Sequence, residues 1–329
     1  MPDLYPLFFK PVLKQYTWGG RNMVKLGRDL PEGQRVAESW EIAAHADGES
    51  VVRNGPFAGK TLPKLITILG ADLVGRNNQW ALDRGIFPLM VKLLDAEERL
   101  SVQVHPSDDY ARLHEGQGEL GKAEMWVILS AEPGAQIIYG FSEETTPDAF
   151  RQAIKSGRIE SYLNYYPVQA GDHICVPPGT LHAILGGIMV AEIQQNSNTT
   201  YRVYDWNRTD MEGKSRALHV DQALDVINFQ QVRTEFPPPD MLQNSPQLSW
   251  ERLCQNKYFS IERINCHQDT EIKGHCDGTT LEIWGVICGR AKIAGEWTEQ
   301  VNFCLLPAGL GNFSIQAQAN STLLRAYTP

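Results

Sequence analysis

The chain of 329 residues is 42% hydrophobic and 21% charged, a composition that is typical of folded globular proteins and argues against disorder. Its 39 acidic and 30 basic residues give a formal net charge of −9 without a basic stripe, so we expect no nucleic-acid partner. The long uncharged stretch 173–191 contains two prolines and three glycines, which argues against a membrane helix and hence a membrane partner.

The first residues lack the uninterrupted apolar segment of a signal peptide, and the six cysteines contain no C-x-x-C pair. We therefore expect a cytoplasmic protein whose thiols are reduced. The sequence makes no prediction about the oligomeric state.

Along the chain, residues 1–60 are predicted to be irregular, and apolar residues at helical spacing predict one or two short helices over 60–83. Further helices are predicted from Thr146 onward, as an insertion between strands, and over 217–229, with a linker at 235–240.

Short strands are predicted where β-branched and aromatic residues alternate with Gly, Pro and Asp turns. They are Phe87–Leu94, Leu100–His105, Glu124–Leu129, Ala135–Tyr139, His173–Val176, His182–Leu185 and Ile188–Ile193, with more short strands from about residue 247. This pattern predicts a mainly β fold, an antiparallel sandwich or barrel.

A weak internal repeat indicates two copies of one β unit. Val176–His182 is similar to Leu306–Asn312, and upstream of each the segments Glu124–Leu129 and Glu282–Ile287 are similar. We predict an N-terminal catalytic domain over 1–235 and a degenerate C-terminal domain over 236–329. Asn312 replaces His182 in the second copy, which indicates that the first copy kept the chemistry.

A metal site is predicted from side-chain direction on one strand. Alternate residues of a strand share a face, so Ser101, Gln103 and His105 are expected to point together. Glu124, beside strongly apolar neighbours, and His182 add a carboxylate and a second imidazole. Two imidazoles, one carboxylate and one amide oxygen suit Zn²⁺ with an open coordination position, or alternatively Fe²⁺ or Mn²⁺.

Seven segments, in order along residues 15–208, resemble the type I mannose-6-phosphate isomerases in their short bacterial form. They are Gln15–Gly20 (QYTWGG), Glu38–Ile42 (ESWEI), Phe87–Leu94 (FPLMVKLL), Leu100–Pro106 (LSVQVHP), Gly121–Trp126 (GKAEMW), Gly179–Ile184 (GTLHAI) and Gln195–Arg208 (QNSNTTYRVYDWNR).

The resemblance implies two cupin-type jelly-roll barrels with a few inserted helices and one bound zinc per chain. Gln103, His105, Glu124 and His182 fall on the family's ligand positions, and Arg202 on an active-site arginine. It also implies a sugar-phosphate substrate and the interconversion of mannose 6-phosphate and fructose 6-phosphate, by proton transfer through an enediol(ate).

Such a reaction needs cations for the phosphate and a base near the reacting carbons. Lys92, Lys122 and Arg202 are cations in apolar segments, and Ser101 shares the predicted polar face. We expect Ser101 and Lys92 to bind substrate, and Arg202, Lys122 and Glu192 to be catalytic. Glu192 is the preferred base, with Lys122 and zinc-bound water left open.

Two other functions are compatible with these residues. Two histidines and a carboxylate also form the iron site of cupin dioxygenases, although the embedded cations favour a phosphorylated substrate. A non-catalytic cupin that binds sugar phosphate is the other alternative.

Overall fold

The computed structural model describes residues 3–116, 118–209, 213–230 and 235–329. The strands before residue 230 are β1 (Leu7–Lys10), β2 (Val12–Lys14), β3 (Glu38–Ile42), β4 (Ala44–His45), β5 (Gly48–Glu49), β6 (Val51–Val52), β7 (Leu89–Ala96), β8 (Val102–Val104), β9 (Glu124–Ala131), β10 (Gln136–Phe141), β11 (Leu163–Pro167), β12 (His173–Val176), β13 (His182–Ile184), β14 (Ile188–Gln195) and β15 (Tyr201–Tyr204).

The helices are short and lie between these strands. They are α1 (Leu62–Leu69), α2 (Ala71–Val74), α3 (Gln79–Arg84), α4 (Asp108–His114), α5 (Pro147–Lys155) and α6 (Val220–Val226), with 3₁₀ turns at Asn22–Leu26, Arg76–Asn78 and Ile159–Tyr162. Thr146 caps α5 by accepting a hydrogen bond from the Ala149 amide, as predicted for a helix that opens there.

The C-terminal part adds further antiparallel strands. They are β16 (Asp240–Asn244), β17 (Leu248–Gln255), β18 (Ser260–Cys266), β19 (Glu271–Cys276), β20 (Glu282–Cys288), β21 (Arg290–Ile293), β22 (Glu296–Glu299), β23 (Asn302–Leu306), β24 (Gly311–Ala317) and β25 (Ser321–Tyr327). The predicted mainly β fold with inserted helices is confirmed.

Four large sheets stack in layers, and β4 and β5 form a separate two-stranded sheet. Sheet I has the order β11-β10-β13-β8-β15 and faces sheet II, of order β12-β9-β14-β7-β3-β2; sheet III (β16-β17-β18-β25-β20-β23-β1-β6) faces sheet IV (β19-β24-β21-β22). Facing pairs of antiparallel sheets are the arrangement of a jelly roll. Apolar cores fill each gap, and sheet II also packs on sheet III, while α5 and α6 cover the outer face of sheet I.

Strand β14 shows how the sequence positions polar groups inside this stack. All its residues are buried, and alternation sends Ala191 and Ile193 toward sheet III and Val190 toward sheet I. Glu192 and Gln194 lie on the same face as Val190. A carboxylate is thereby held in the gap between sheets I and II, in a strand that is otherwise apolar.

Three expectations need correction. Residues 1–60 are not irregular, because their short apolar pieces form strands β1 to β6. The helix expected over 217–229 is limited to Val220–Val226, since the chain before it hydrogen-bonds to β15 through the His219 amide and the Arg202 carbonyl. Cys175 and Cys254 are joined as a disulfide, while Cys266, Cys276, Cys288 and Cys304 are free.

Strand β1 lies in sheet III, where it pairs with β23. The first residues of the chain thus contribute to a sheet formed mainly by residues after 240. The division of the chain into domains at residue 235 stays a prediction. No helix among the described residues is long and apolar enough to cross a membrane.

Strand register supports the internal repeat. Glu124 on β9 lies opposite Val176 on β12, and Glu282 on β20 lies opposite Leu306 on β23. The two similar segment pairs are therefore in the same register in both copies. By the same registers, Arg325 occupies in the second copy the place that Glu192 occupies in the first.

The second copy has a closed ion-pair network at this place. The Arg325 guanidinium lies 2.5 Å from the Glu282 carboxylate and 3.1 Å from the Glu262 carboxylate. The Tyr327 hydroxyl and the Trp250 indole N–H also donate hydrogen bonds to Glu262. All four oxygens of the two carboxylates therefore accept hydrogen bonds from protein groups, which leaves none of them open toward a cation.

We expect Arg325→Ala to lower the free energy of unfolding by roughly 3–5 kcal/mol, because two buried carboxylates would lose their cation. Arg252→Ala is the matched control, since its partner Asp240 is 67% exposed, and should cost less than about 1 kcal/mol. Denaturant unfolding measures both values. Equal losses in the two variants would contradict this account of the second copy.

Candidate active site

A cavity of about 220 Å³ opens between sheets I and II. It is lined by seven of the nine residues that the sequence singled out: Lys92, Ser101, Gln103, Lys122, His182, Glu192 and Arg202. The other two, His105 and Glu124, are 1% exposed and lie in contact with Lys122. All nine predicted residues therefore come together at one place.

Two cross-strand rows face each other across this cavity. In sheet I, Arg202, Gln103 and His182 lie side by side on β15, β8 and β13. In sheet II, the row runs Trp40, Lys92, Glu192 and Trp126 on β3, β7, β14 and β9. The Trp126 and His182 rings meet edge to face, 5.5 Å apart, and close the inner end. Antiparallel pairing thus brings together residues that are far apart in the sequence.

His105, Glu124 and His182 form the inner cluster. Ligand atoms from the three residues all lie within 4.8 Å of one another. His105 Nε2 is 3.4 Å from Glu124 Oε2, and His182 Nε2 is 3.3 Å from Glu124 Oε1. The three side chains therefore direct their polar atoms to a common position.

Backbone contacts fix which nitrogen of each histidine is available. His105 Nδ1 donates to the Thr199 carbonyl at 2.8 Å, and His182 Nδ1 donates to the Thr180 carbonyl at 2.9 Å. These bonds leave each Nε2 with a lone pair on the cluster side, where His105 Nε2 lies 3.2 Å from the Lys122 ammonium and His182 Nε2 lies 3.4 Å from the Gln103 amide. Burial lowers the pKa of both rings, to about 3 for His105, so both are neutral and able to act as ligands at neutral pH.

The Glu124 carboxylate is charged and poorly satisfied. Burial alone would raise its pKa, but the Lys122 ammonium, 2.8 Å from Oε2, holds that pKa well below its usual range. Neither oxygen has a hydrogen-bond partner of suitable geometry, although both are buried. A buried carboxylate with open lone pairs is costly unless a cation completes its environment.

A hydrogen-bonded chain leads from the cluster to the cavity mouth. The Gln103 amide is 3.4 Å from His182 Nε2, Ser101 Oγ donates to Gln103 Oε1 at 3.3 Å, and Arg202 Nε donates to Ser101 Oγ at 3.2 Å. Turning the amide by 180° would direct its oxygen at the histidine cluster, since amide nitrogen and oxygen are nearly indistinguishable. Ser101 thereby positions both Gln103 and Arg202.

Buried charges of both signs lie on the sheet II side. Lys92 Nζ is 3.5 Å from Glu38 and 3.8 Å from Glu192, and Lys122 Nζ is 3.9 Å from Glu192. Burial raises the pKa of Glu192 to about 7, against the opposing effect of both lysines. Together with Glu124, three carboxyl groups face two ammonium groups, so the cluster is one positive charge short when Glu192 is ionised.

Sequence reasoning missed several residues of the cavity wall, namely Tyr16, Trp18, Glu38, Trp126, Asn198, Thr200, Arg216 and His219. Six of them lie in motifs that were recognised without a role being assigned to these residues, namely Tyr16, Trp18, Glu38, Trp126, Asn198 and Thr200. Arg216 lies outside all seven of these motifs, and no sequence pattern indicated that it would line the cavity. His173, by contrast, lies outside the cavity wall, and its pKa is lowered by burial and by Arg263.

Comparisons with known proteins identify relatives of this chain. Residues 7–132 match the family model of the phosphomannose isomerase type I catalytic domain. The chain is 39% identical over 318 residues to mannose-6-phosphate isomerase ManA of Bacillus subtilis, covering 95% of this chain and 96% of that protein. It is 45% identical over 257 residues to the mannose-6-phosphate isomerase of Streptococcus mutans, covering 78% and 77%.

A solved structure extends the likeness to the whole fold. The crystal structure of the mannose 6-phosphate isomerase from Bacillus subtilis superimposes with a TM-score of 0.86 at 33% identity, covering 98% of this chain and 99% of that one. The chain therefore belongs to the type I phosphomannose isomerase family and is an aldose–ketose isomerase.

Proposed function

We propose that this enzyme interconverts mannose 6-phosphate and fructose 6-phosphate by proton transfer through an enediol(ate), with one zinc ion per chain. The observation that carries the proposal is the convergence of two histidine Nε2 lone pairs on the open oxygens of buried Glu124. The names of the relatives support the choice of substrate.

The donor set fits zinc. Two neutral imidazoles, one carboxylate and the amide of Gln103 offer nitrogen and oxygen ligands of the types that zinc accepts. The missing positive charge in the buried cluster argues for a cation at the same place. The second copy has Asn312 in place of His182, hydrogen-bonded to His275. Its Glu282 is compensated by Arg325, which supports a single metal per chain.

The metal would be held by Gln103, His105, Glu124 and His182, and when bound it would act as a Lewis acid toward the substrate's carbonyl oxygen. Lys122 forms ion pairs with both Glu124 and Glu192 and so connects the proposed metal ligands with Glu192. Lys92 fixes Glu192 from the other side, where it also pairs with Glu38. Both lysines thereby hold Glu192 in the cavity wall.

Glu192 is our candidate for moving the proton between the two carbons. Its Oε2 accepts a hydrogen bond from the Trp126 indole at 3.0 Å, which orients the carboxyl group toward the cavity. A carboxyl group with a pKa near neutrality can both accept and return a proton at working pH. Arg202, charged at any working pH, is placed to stabilise negative charge on a substrate oxygen.

The proposed reaction is tested by a coupled assay of mannose 6-phosphate conversion, run with zinc and with a chelator. We expect turnover only with metal. In D₂O, the product should carry deuterium at the carbon that accepts the proton, because an acid–base group exchanges its proton with solvent.

Absence of turnover in the zinc-loaded protein would overturn the proposal. So would full activity of a sample shown to be free of metal. Oxygen uptake that depends on added Fe²⁺ would instead support a dioxygenase, and tight sugar-phosphate binding without turnover would support a non-catalytic binding protein.

The role of Glu192 predicts a pH dependence. If the charged carboxylate is the base, kcat/KM should rise with pH through the pKa of Glu192, which burial raises to about 7. A bound divalent cation would stabilise the charged carboxylate, so the midpoint of this rise in kcat/KM should lie at or below pH 7. Glu192→Gln should lower kcat by roughly a hundredfold or more and remove the rise of kcat/KM with pH.

Glu41→Gln is the matched control, because Glu41 is a buried, ion-paired carboxylate outside the cavity wall. It should leave the pH profile unchanged. Retention of wild-type kcat in Glu192→Gln would assign proton transfer to another group, with Lys122 the next to test.

A further inference from the structure

A cluster of guanidinium groups lies at the cavity mouth, away from the metal ligands. Arg216 donates from Nε and Nη2 to the two oxygens of Asp205, and Arg208 Nη2 donates to the same carboxylate. Arg202 lies beside them, since its Nη1 donates to the carbonyl of Ala217, the residue after Arg216. We call Arg202, Arg208 and Arg216 the arginine rim.

Among the residues that the structure describes, the rim carries more positive than negative charge. Arg208 and Arg216 pair with Asp205, whereas Arg202 donates to Ser101 and to a backbone carbonyl, so these four side chains together have an excess of about two positive charges. Burial and the nearby Arg216 guanidinium lower the pKa of Arg202, as expected for cations held close together. By contrast, the two lysines deeper in the cavity are outnumbered by three carboxyl groups, those of Glu38, Glu124 and Glu192. In a chain of net charge −9, this local excess points to an anionic ligand.

The backbone is bent to form the rim. After Asp205, Trp206 and Asn207 both adopt left-handed φ angles, 58° and 55°, which non-glycine residues rarely do. This turn brings Arg208 back onto the Asp205 carboxylate. Trp206 is held by a 2.6 Å hydrogen bond from its indole to the Leu100 carbonyl. Strained backbone that persists beside a cavity is commonly maintained for function.

Arg216 occupies a particular place in this rim. It lines the main cavity and also an adjoining cavity of about 210 Å³, whose wall includes Arg208 and Lys214. Its Nη1 has no hydrogen-bond partner among the residues that the structure describes, while Asp205 fixes the other end of the guanidinium. A planar group that is anchored on one edge and open on the other is suited to a phosphate.

The spacing fits a phosphorylated sugar. Strands β13 and β15 are separated by β8, so His182 and Arg202 are about 10 Å apart between their Cα atoms. If the reacting carbons lie at the metal ligands, the far end of an extended six-carbon substrate reaches the rim. Lys92, expected from the sequence to bind the substrate, is instead already paired with two carboxylates.

We propose that Arg216 binds the phosphate group of the substrate at the arginine rim and sets the preference for a phosphorylated sugar. This inference rests on the proposed function. It assigns the phosphate end of the substrate to Arg216, and leaves Arg202, which is tied through Ser101 to Gln103, nearer to the reacting oxygens.

The test compares Arg216→Gln and Arg216→Lys with Arg151→Gln. Arg151 is a matched control, because its side chain is also 36% exposed, is paired with one aspartate and lies outside both cavities. Steady-state kinetics with mannose 6-phosphate, inhibition by inorganic phosphate and turnover of unphosphorylated mannose are measured, together with metal content and Tm.

In Arg216→Gln we expect KM for mannose 6-phosphate and Ki for inorganic phosphate to rise roughly ten- to hundredfold, as for loss of one charged hydrogen-bonding group. The kcat should change less than about threefold, and kcat/KM for mannose should be unaffected, because mannose lacks the phosphate. In Arg216→Lys the KM and Ki should rise less, since lysine keeps the charge but lacks the paired N–H donors of the guanidinium group. Arg151→Gln should match the wild type.

An unchanged Ki for phosphate in Arg216→Gln, with normal Tm and metal content, would overturn the inference. If Arg216→Gln does not fold, an unchanged Ki in Arg216→Lys would do the same. If the wild type fails to convert mannose 6-phosphate, the proposed function fails, and direct calorimetric titration of wild type and Arg216→Gln with inorganic phosphate still decides the phosphate site.

Discussion

The charge on the buried carboxylate of Glu124 governs the arrangement of the site. Removing a carboxylate from water costs several kcal/mol unless cations and donors replace its solvation. In this protein Lys122 supplies one cation, and the neutral Nε2 atoms of His105 and His182 offer lone pairs and no protons. The carboxylate oxygens therefore remain open toward one position. A divalent cation at that position would satisfy the carboxylate and both imidazoles together, which is why we place the metal there.

The surrounding buried charges follow from the same constraint. Lys122 is held between Glu124 and Glu192, and Lys92 between Glu192 and Glu38. Each ammonium is thereby fixed by two carboxylates, and the acid–base candidate Glu192 is fixed by two ammonium groups. The second copy of the fold satisfies its corresponding carboxylate, Glu282, with a single internal arginine, Arg325. Where the first copy has Glu192, the second has Arg325, whose guanidinium pairs directly with the neighbouring carboxylates.

Much of the site could be predicted because successive side chains of a strand point to opposite faces of the sheet. Gln103 and His105 are two residues apart, as are Lys122 and Glu124, and the apolar residues between them mark the strand period. The places of Tyr16, Trp18 and Glu38 in the cavity wall were not predicted, since all three meet residues that are tens of positions away in the sequence. Arg216 was missed because it follows a turn beyond β15 and reaches the cavity only by pairing with Asp205. The Cys175–Cys254 pair joins two sheets across a sequence separation of 79 residues. Cysteine spacing in the sequence does not predict which residues meet over such a separation.

The most direct test of the account is to titrate zinc into metal-free protein and measure mannose 6-phosphate isomerase activity at each step. Activity should rise in proportion to zinc and stop rising at one equivalent per chain. His182→Ala should neither retain the ion nor gain activity, whereas Asn312→Ala should behave as the wild type. Activity that is complete without zinc, or that saturates only at two equivalents, would contradict a single zinc site in the first copy.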